Sequence, residues 1–326
     1  MGGDQGLECT IPASLEFLDK HPGTELKLVG RQSEIRSCLS QLGCAENQRL
    51  SIVHATEVVE MDESPVNSLR RKKDSSMRVA INLIQQGDAD ACVSAGNTGA
   101  LMATARFVLK TINGIDRPAI CAALPRAVGY TYVLDLGANI DTPPDILLQF
   151  GVMGAQLIEC LDHKTAPTVG LLNIGAEETK GHDTVKEAAA MLAASSLNYV
   201  GFIEGSSLFS GKADVVVTDG FTGNVALKTM EGTVGLAGHY LHRAFSRGWL
   251  ARLQALLARP VLSQLAVEMD SRHYNGATLV GLNGIVIKSH GGADALAFLH
   301  AIDTAVVEVE NQVPQQIGSL LEREAA

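Results

Sequence analysis

Aromatic residues are scarce in this sequence of 326 residues, of which they make up 4%, with a single tryptophan. Sugar-stacking lectins and aromatic single-strand binders depend on such rings, so both classes are disfavoured. Basic residues are outnumbered by acidic ones: the sequence has 26 lysines and arginines and 36 aspartates and glutamates, which gives a formal net charge of −10. This charge argues against nucleic-acid binding, and any acidic partner would need a local basic patch.

Cysteine pairs and long apolar runs are absent as well. The six cysteines include no CxxC pair, and no Cys/His cluster has the spacing of a metal site. Reduced thiols in a cytosolic protein explain this pattern, so no metal is expected. No apolar run reaches ~18 residues, and the N-terminal Met-Gly-Gly-Asp is not a secretory signal. These features predict a cytoplasmic protein.

The motifs of several large enzyme classes are missing. No two glycines are spaced GxG, so the dinucleotide fingerprint GxGxxG is absent, and there is no P-loop, GxSxG elbow or HExxH helix. An ordinary Rossmann dehydrogenase, a P-loop kinase, a serine hydrolase and a zinc hydrolase are therefore disfavoured. No cofactor is predicted.

Short β-branched runs alternate along the chain with longer segments of helical period, a rhythm typical of an α/β fold with a mostly parallel, doubly wound sheet. Without an obvious linker or repeat, we expect residues 1–326 to form a single domain, in which a two-lobe division is only weakly indicated. The predicted strands are 25–29, 50–54, 90–95, 119–124, 131–136, 168–174, 199–204, 213–218 and 284–288. The predicted helices include 74–86, 98–111, 144–162, 183–194, 222–246 and 293–312.

Five glycine-containing polar loops follow these strands, at 94–100, 135–141, 173–181, 218–224 and 288–292. Ligands of open α/β sheets bind beyond the carboxyl ends of strands, so we expect the loops to build one composite site. The first loop places Gly96, Asn97, Thr98 and Gly99 at the start of a helix, where N–H groups and the helix dipole favour an anion. An ordinary capped turn would produce the same residues.

Lysines near these loops suggest a phosphate clamp. Lys180, Lys228 and Lys288 each follow a loop or strand end, although a single lysine of this kind is more often solvated. Lys228 near a helix N-terminus is unfavourable unless it meets an anion or pairs with Glu231 three residues on. His290 could act as an acid/base or oxyanion donor, or simply be satisfied by the backbone.

One long segment carries no acidic residue at all, from 232 to 267, and it includes four arginines. We predict a helical hairpin at 246–270, in which Pro260 ends the first helix and apolar spacing continues to Met269. One helical face would be apolar and would enter a lipid surface, with the arginines on anionic headgroups. That face consists of Trp249, Leu250, Leu253, Leu256 and Leu257. Packing against the core or a dimer partner is the alternative. A second basic cluster covers residues 70–73.

The combined motifs resemble the bacterial acyl-carrier-protein:phosphate acyltransferase (PlsX) family, which opens phospholipid synthesis. They span residues 1 to about 310 and read MGGD (1–4), LRRKKDSSM (69–77), VSAGNTGA (93–100), LGAN (136–139), FGVMG (150–154), NIGAEETKG (173–181), DGFTGNVALK (219–228) and KSHG (288–291). The resemblance implies a fold similar to isocitrate/isopropylmalate dehydrogenases and phosphotransacetylases, with a protruding hairpin. It also implies a homodimer that associates peripherally with the inner face of the cell membrane. A downstream membrane glycerol-phosphate acyltransferase is a further expected partner.

The implied reaction is attack of inorganic phosphate on the thioester of an acyl-acyl-carrier protein, which needs positioning and oxyanion stabilisation but no covalent nucleophile. The resemblance extends the site to Asp4, Asn139 and Gly291. We expect Lys180, Lys228 and Lys288 to hold phosphate with the amides of residues 96–99. Asn97 and Asn224 would polarise the carbonyl, and His290 would assist the departing thiolate.

Two positions depart from the family pattern. Members usually begin with an apolar strand before MGGD, whereas Met1 already lies at that motif, so either the start is trimmed or Asp4 has lost the strand that aims it. Phe202 stands where the family often has Asn. The main alternative function is a short-chain phosphotransacylase acting on coenzyme A thioesters. A β-decarboxylating dehydrogenase or a membrane-attached scaffold are more distant alternatives.

Overall fold

Ten β-strands alternate with eleven α-helices in a computed structural model that describes residues 1–268 and 270–325. The strands are β1 Leu26–Gly30, β2 Leu50–His54, β3 Ala91–Ser94, β4 Ala119–Pro125, β5 Tyr130–Leu134, β6 Thr168–Asn173, β7 Asn198–Glu204, β8 Val215–Val217, β9 Ala277–Val280 and β10 Ile285–Lys288. The helices are α1 Leu7–Lys20, α2 Gln32–Gln41, α3 Pro65–Arg71, α4 Ser76–Gln86, α5 Thr98–Leu109, α6 Pro144–Asp162, α7 Asp183–Ala194, α8 Gly220–Phe245, α9 Trp249–Glu268, α10 Ala295–Glu310 and α11 Val313–Ala325. Short 3₁₀ turns cover Gly205–Ser207 and Ser271–Tyr274.

Eight strands form the central sheet in the order β3-β10-β9-β4-β5-β8-β6-β7, while β1 and β2 form a separate parallel pair. Pairing is parallel between β3 and β10, between β5 and β8, and along β8, β6 and β7. The α/β class with a mostly parallel sheet is therefore confirmed. All nine predicted strands are present within a few residues of their expected bounds. The four-residue β9 was missed.

Antiparallel pairing at the centre divides the sheet into two halves that run in opposite directions. Both β4 and β9 pair antiparallel with their neighbours, so β3 and β10 point opposite to β5, β8, β6 and β7. The strand-end loops therefore leave the sheet in two opposite directions. Register nevertheless aligns Leu134 with Cys121, Thr278, Ile287 and Val93 in one row across the sheet. Because β5 ends at this row and β10 ends one residue beyond it, the carboxyl ends of the two halves meet in the middle.

Apolar side chains cover both faces of the sheet. Helices α4 and α5, with the first turns of α8, pack on one face, and α6, α7 and α11 pack on the other. Fully buried residues such as Leu101 in α5 and Phe150 in α6 fill the space between helices and strands. The site loops are thus attached to a rigid two-sided core, which restricts where their side chains can point.

The N-terminal region packs α1 against α10 and the small β1–β2 sheet. A cavity of about 600 Å³ is lined by residues of both β1 and β3. The amino group of Met1 borders this cavity and donates to the carbonyl of Val29 at 3.3 Å. Burial lowers the pKa of this amino group below its usual value.

Helices α8 and α9 follow one another with only residues 246–248 between them, and we call the two together the α8–α9 arm. Residues 249–268 make one continuous helix that includes Pro260, so the prediction of a helical hairpin with a break at Pro260 is wrong. Pro260 has no N–H to donate to the carbonyl of Leu256, so the helix lacks one hydrogen bond. Leu256 is exposed, and water can hydrogen-bond to its carbonyl instead. Met269 lies outside the described residues. Among those described, no helix is both long and apolar enough to cross a membrane.

Candidate functional site

The last residue of β10, Lys288, is a buried lysine with only 8% of its surface exposed. Its Nζ donates to the carbonyl of Ala95 at 3.4 Å and to the carbonyl of Ser289. In the described part of the chain no carboxylate comes within ion-pair distance of it. Burial, and then the nearby positive charge of Lys228, lower the pKa of Lys288 to about 8, while Asp4 acts in the opposite direction. A buried cation with so little compensation is suited to binding an anion.

The N-terminal segment lies over this lysine. The backbone N–H of Asp4 donates to the carbonyl of Gly291 at 2.8 Å. Gly3 has φ +81°, and a Cβ there would lie 2.9 Å from the Cβ of Ala95, so only glycine permits the approach. Asp4 and Gly291 therefore belong to the same cluster as Lys288.

The side-chain amide of Asn97 forms its hydrogen bonds within the protein. Its Oδ1 accepts from the N–H of Ala100 at 2.9 Å and caps α5, while Nδ2 donates to the carbonyls of Met61 at 2.8 Å and Glu63 at 3.0 Å. An amide has two N–H hydrogens, so none remains for a substrate carbonyl. The contacts support a positioning role for Asn97 rather than the expected polarising one.

The two glycines of the first loop are explained by close packing. A Cβ on Gly96 would lie 3.0 Å from the Met77 side chain, and one on Gly99 would lie 2.8 Å from Pro65. Thr98 and Gly99 are exposed at the first turn of α5, whose N–H groups have no intrahelical partner. The N–H groups of Thr98 and Gly99 remain available to an anion, whereas that of Ala100 donates to Asn97.

His290 is exposed and has a defined tautomer. The backbone N–H of Gly292 donates to its Nδ1 at 3.1 Å, so Nδ1 is an acceptor and the neutral ring carries its proton on Nε2. The backbone N–H of His290 is also bound, to Oδ1 of Asn275 at 2.8 Å. The neutral ring can therefore present an N–H donor at its Nε2 atom.

The second half of the site begins at a turn built on Asp135. This buried carboxylate accepts hydrogen bonds from Ile120, Gly137, Ala138 and Asn139 N–H groups. Burial raises its pKa, and these donors oppose that shift. Asn139 donates from Nδ2 to Asp135 and to the carbonyl of Pro118. The side chain of Asn139 therefore stabilises the turn, and the expected substrate contact is not supported by its hydrogen bonds.

The start of α8 packs directly on this turn. Asp219 caps the helix by accepting from Thr222 N–H at 2.8 Å. A Cβ on Gly223 would lie 2.0 Å from the Asp135 carbonyl oxygen, which leaves space only for glycine. The approach places the side chain of Asn224 against Gly137, 3.6 Å from the position of a Cβ there. Asn224 is exposed and faces this turn.

Lys228 and Lys180 have separate environments. Lys228 is exposed and pairs with Glu231 at 2.7 Å, so the alternative anticipated for it is confirmed, although its charge also acts on Lys288. Lys180 is exposed in its own loop, where its carbonyl accepts from Asn173 and its side chain passes beside Gly175. No described contact brings Lys180 to the other two lysines.

The arrangement thus gathers Asp4, the residue 95–99 loop, Lys288, His290 and Gly291, with Lys228 within electrostatic reach. Sequence reasoning missed Asp135 and Asn275. An aspartate directly after a buried strand is a signal that could have found Asp135, whereas Asn275 follows a short 3₁₀ turn without any recognisable pattern. Across the described ranges, no group of three or more His, Cys, Asp or Glu side chains could hold a metal ion.

Comparison with known structures supports the fold. A phosphotransacetylase from Streptococcus pyogenes aligns with a TM-score of 0.59 at 17% identity, covering 91% of this chain and 98% of that one. A 4-hydroxythreonine-4-phosphate dehydrogenase from Klebsiella pneumoniae aligns with a TM-score of 0.54 at 12% identity, covering 97% and 98%. Both comparisons agree with the expected phosphotransacetylase-like and dehydrogenase-like architecture.

Sequence comparison is far closer. The family model described as "Fatty acid synthesis protein" matches residues 1–316. A phosphate acyltransferase from Methylococcus capsulatus is 55% identical over 318 residues, which cover 98% of this chain and 94% of the relative. One from Alkalilimnicola ehrlichii is 56% identical over 322 residues, with 99% and 94% covered. The chain therefore belongs to the fatty acid synthesis protein family, whose relatives named here are phosphate acyltransferases, and it is an enzyme of the acyltransferase class.

Proposed function

We propose that the protein transfers a fatty acyl group from acyl-carrier protein to inorganic phosphate, and that the acyl phosphate feeds phospholipid synthesis. The observation that carries this proposal is the buried cation of Lys288, which has no carboxylate partner in the described chain and lies near a second cation, Lys228. Such a site gains most from an anion that is small and doubly charged. Phosphate at neutral pH meets both conditions.

Phosphate would sit between Lys288 and the first turn of α5. The exposed N–H groups of Thr98 and Gly99 supply hydrogen bonds there, and the helix dipole favours negative charge. Lys228 would exchange Glu231 for phosphate, because an ion pair between exposed side chains is worth less than about 1 kcal/mol. Lys180 is assigned to the same clamp on the family resemblance alone.

The chemistry follows from positioning. An oxygen of hydrogen phosphate attacks the thioester carbonyl, and the carbonyl oxygen becomes an oxyanion for which Asn224 offers an amide donor. The carbon–sulfur bond then breaks as Nε2–H of His290 stabilises the leaving thiolate by a hydrogen bond. The thiolate takes up the proton that the attacking hydrogen phosphate loses, so acyl phosphate and the free carrier thiol are the balanced products. Asn97 holds the phosphate loop in place.

Trapping the product tests this proposal. Purified protein with palmitoyl-carrier protein and phosphate should give an acyl hydroxamate when hydroxylamine is added, and omission of phosphate should abolish it. Parallel reactions with short-chain coenzyme A thioesters test the alternative phosphotransacylase function. A preference for those thioesters would overturn the assignment of the donor.

Variants test the phosphate clamp. Lys228→Ala and Lys180→Ala should each raise the KM for phosphate and lower turnover, since each removes a positive charge from the anion. Lys212→Ala, at an exposed lysine outside the site, is the matched control. The clamp assignment fails if the two site variants keep the parent values.

Carrier recognition is assigned to the basic cluster at residues 70–73. Arg70, Arg71 and Lys73 are exposed, whereas Lys72 is held by Glu63 at 2.6 Å. Acyl-carrier proteins are strongly acidic, so this cluster offers local attraction against a chain with a net charge of −10. Activity should therefore fall as salt rises.

Membrane association is assigned to the α8–α9 arm. The five predicted residues are all exposed, from 47% for Leu253 to 79% for Trp249, so they do not pack on the core of this chain. An apolar surface of this kind is typical of a contact with lipid or with a second copy. We propose that the protein is a cytoplasmic homodimer and that this apolar surface contacts the inner face of the cell membrane. A membrane acyltransferase would consume the product there.

A further inference from the structure

The side chain of Asn275 joins three segments beside the candidate site. Asn275 follows the 3₁₀ turn that leads back from α9. Its Nδ2 donates to Oγ of Ser289 at 2.8 Å and to the carbonyl of Ala297 at 2.7 Å, and its Oδ1 accepts from the N–H of His290 at 2.8 Å. The amide thus connects the loop after β10 to the first turn of α10.

The orientation of this amide is determined by its partners. The carbonyl of Ala297 can only accept a hydrogen bond, and the backbone N–H of His290 can only donate one. Exchanging the oxygen and nitrogen of Asn275 would break both bonds at once. The amide therefore has a single hydrogen-bonded orientation in this setting.

The neighbouring glycine explains how Asn275 comes so close. Gly276 has φ +124°, and a Cβ there would lie 3.1 Å from the Cα of Ala301 and 3.0 Å from Oγ1 of Thr304. The chain is pressed against α10 at this point, as only glycine allows. Beyond Asn275, the N–H of the fully buried Ser289 donates to the carbonyl of Ser94 at 2.9 Å. This hydrogen bond joins the loop after β10 to the loop that precedes α5.

We propose that Asn275 is a positioning residue that acts through His290. It fixes the backbone of Ser289 and His290, and thereby the position from which the imidazole side chain extends. Asn275 itself touches neither substrate in this scheme. The inference rests on the proposed function, because it assumes that His290 assists the departing thiolate.

A double-mutant cycle tests the proposal. Asn275→Ala should lower kcat by about tenfold to a hundredfold, the usual effect of a small misplacement of a reacting group. In the His290→Ala background the same change should lower kcat by less than about twofold, because residues that act as one unit are not additive. Asn275→Asp keeps an acceptor for the His290 N–H and should recover part of kcat; it also replaces Asn275→Ala in the cycle if the alanine variant does not fold.

Asn283→Ala is the matched control. Asn283 likewise donates from Nδ2 to two carbonyls, those of Leu109 at 3.3 Å and Thr111 at 2.8 Å, but at the opposite end of β10. The Asn283→Ala variant should lose about as much thermal stability as Asn275→Ala and keep the wild-type kcat. An equal loss of kcat in this control would overturn the positioning role.

The cycle also distinguishes a failure of the positioning role of Asn275 from a failure of the role proposed for His290. If His290→Ala is impaired and the two substitutions multiply, the positioning role of Asn275 is wrong while the proposed function stands. If His290→Ala is fully active, the assignment of His290 in the proposed function is wrong, and the role of Asn275 through it fails too.

Discussion

Replacement of Lys288 by methionine should make the ligand-free protein more stable at neutral pH while it weakens phosphate binding. The lysine has a pKa of about 8 instead of 10.5, which corresponds to about 3 kcal/mol of unfavourable free energy when it is charged in the folded state. Its hydrogen bonds to the carbonyls of Ala95 and Ser289 offset about 2 kcal/mol of this. Lys288→Met should therefore stabilise the protein by about 1 kcal/mol at pH 7.

The sign of the effect changes with pH. Below about pH 8 the folded lysine is charged and the full cost is present. Between about pH 8 and 10.5 the folded protein releases the proton that the unfolded chain still holds, so wild-type stability rises with pH on account of this group. The methionine variant lacks that gain. The stability difference should move by about 3 kcal/mol across this range and become destabilising at its alkaline end.

Urea unfolding of both proteins between pH 7 and pH 10 measures this difference, and groups that titrate in both cancel. Lys212→Met, which removes an exposed lysine, is the control. Phosphate should raise the melting temperature of the wild type and leave that of Lys288→Met unchanged. A difference for Lys288→Met that is constant with pH would refute the reasoning.

Three further predictions concern other parts of the molecule. Burial raises the pKa of Glu308 to about 8, so Glu308→Gln should stabilise the protein by up to about 5 kcal/mol at pH 9 and hardly at pH 4 in urea unfolding; equal effects at both pH values would contradict this. Trp249→Glu with Leu253→Glu should abolish flotation with anionic liposomes and spare activity on soluble acyl-carrier protein, whereas joint loss would indicate a packing role. Arg70→Glu with Arg71→Glu should raise the KM for acyl-carrier protein about tenfold, and an equal change for phosphate would argue against docking there.

Residues that sequence reasoning treated as equivalent have different roles in the structure. Asn97 and Asn224 both lie at glycine-containing loops. The Asn97 side chain caps α5 and donates to the carbonyls of residues 61 and 63, whereas Asn224 remains exposed. Lys228 and Lys288 are both lysines near strand ends, yet one pairs with Glu231 and the other is buried without a carboxylate partner in the described chain. The partners come from distant segments, so no local pattern reveals them.

Local sequence determined the elements of this protein, because β-branched runs, helical periodicity and capping residues act within a few positions of one another. It also identified the loops after β3, β5, β8 and β10 as functional candidates, since glycine and polar residues at strand ends are visible without a fold. Only the tertiary structure decided that antiparallel β4 and β9 reverse half of the sheet, that α9 continues through Pro260, and that Asn275 reaches His290. These outcomes depend on strand pairing and on burial between segments far apart in the chain, and such long-range contacts leave no signature at the positions they join.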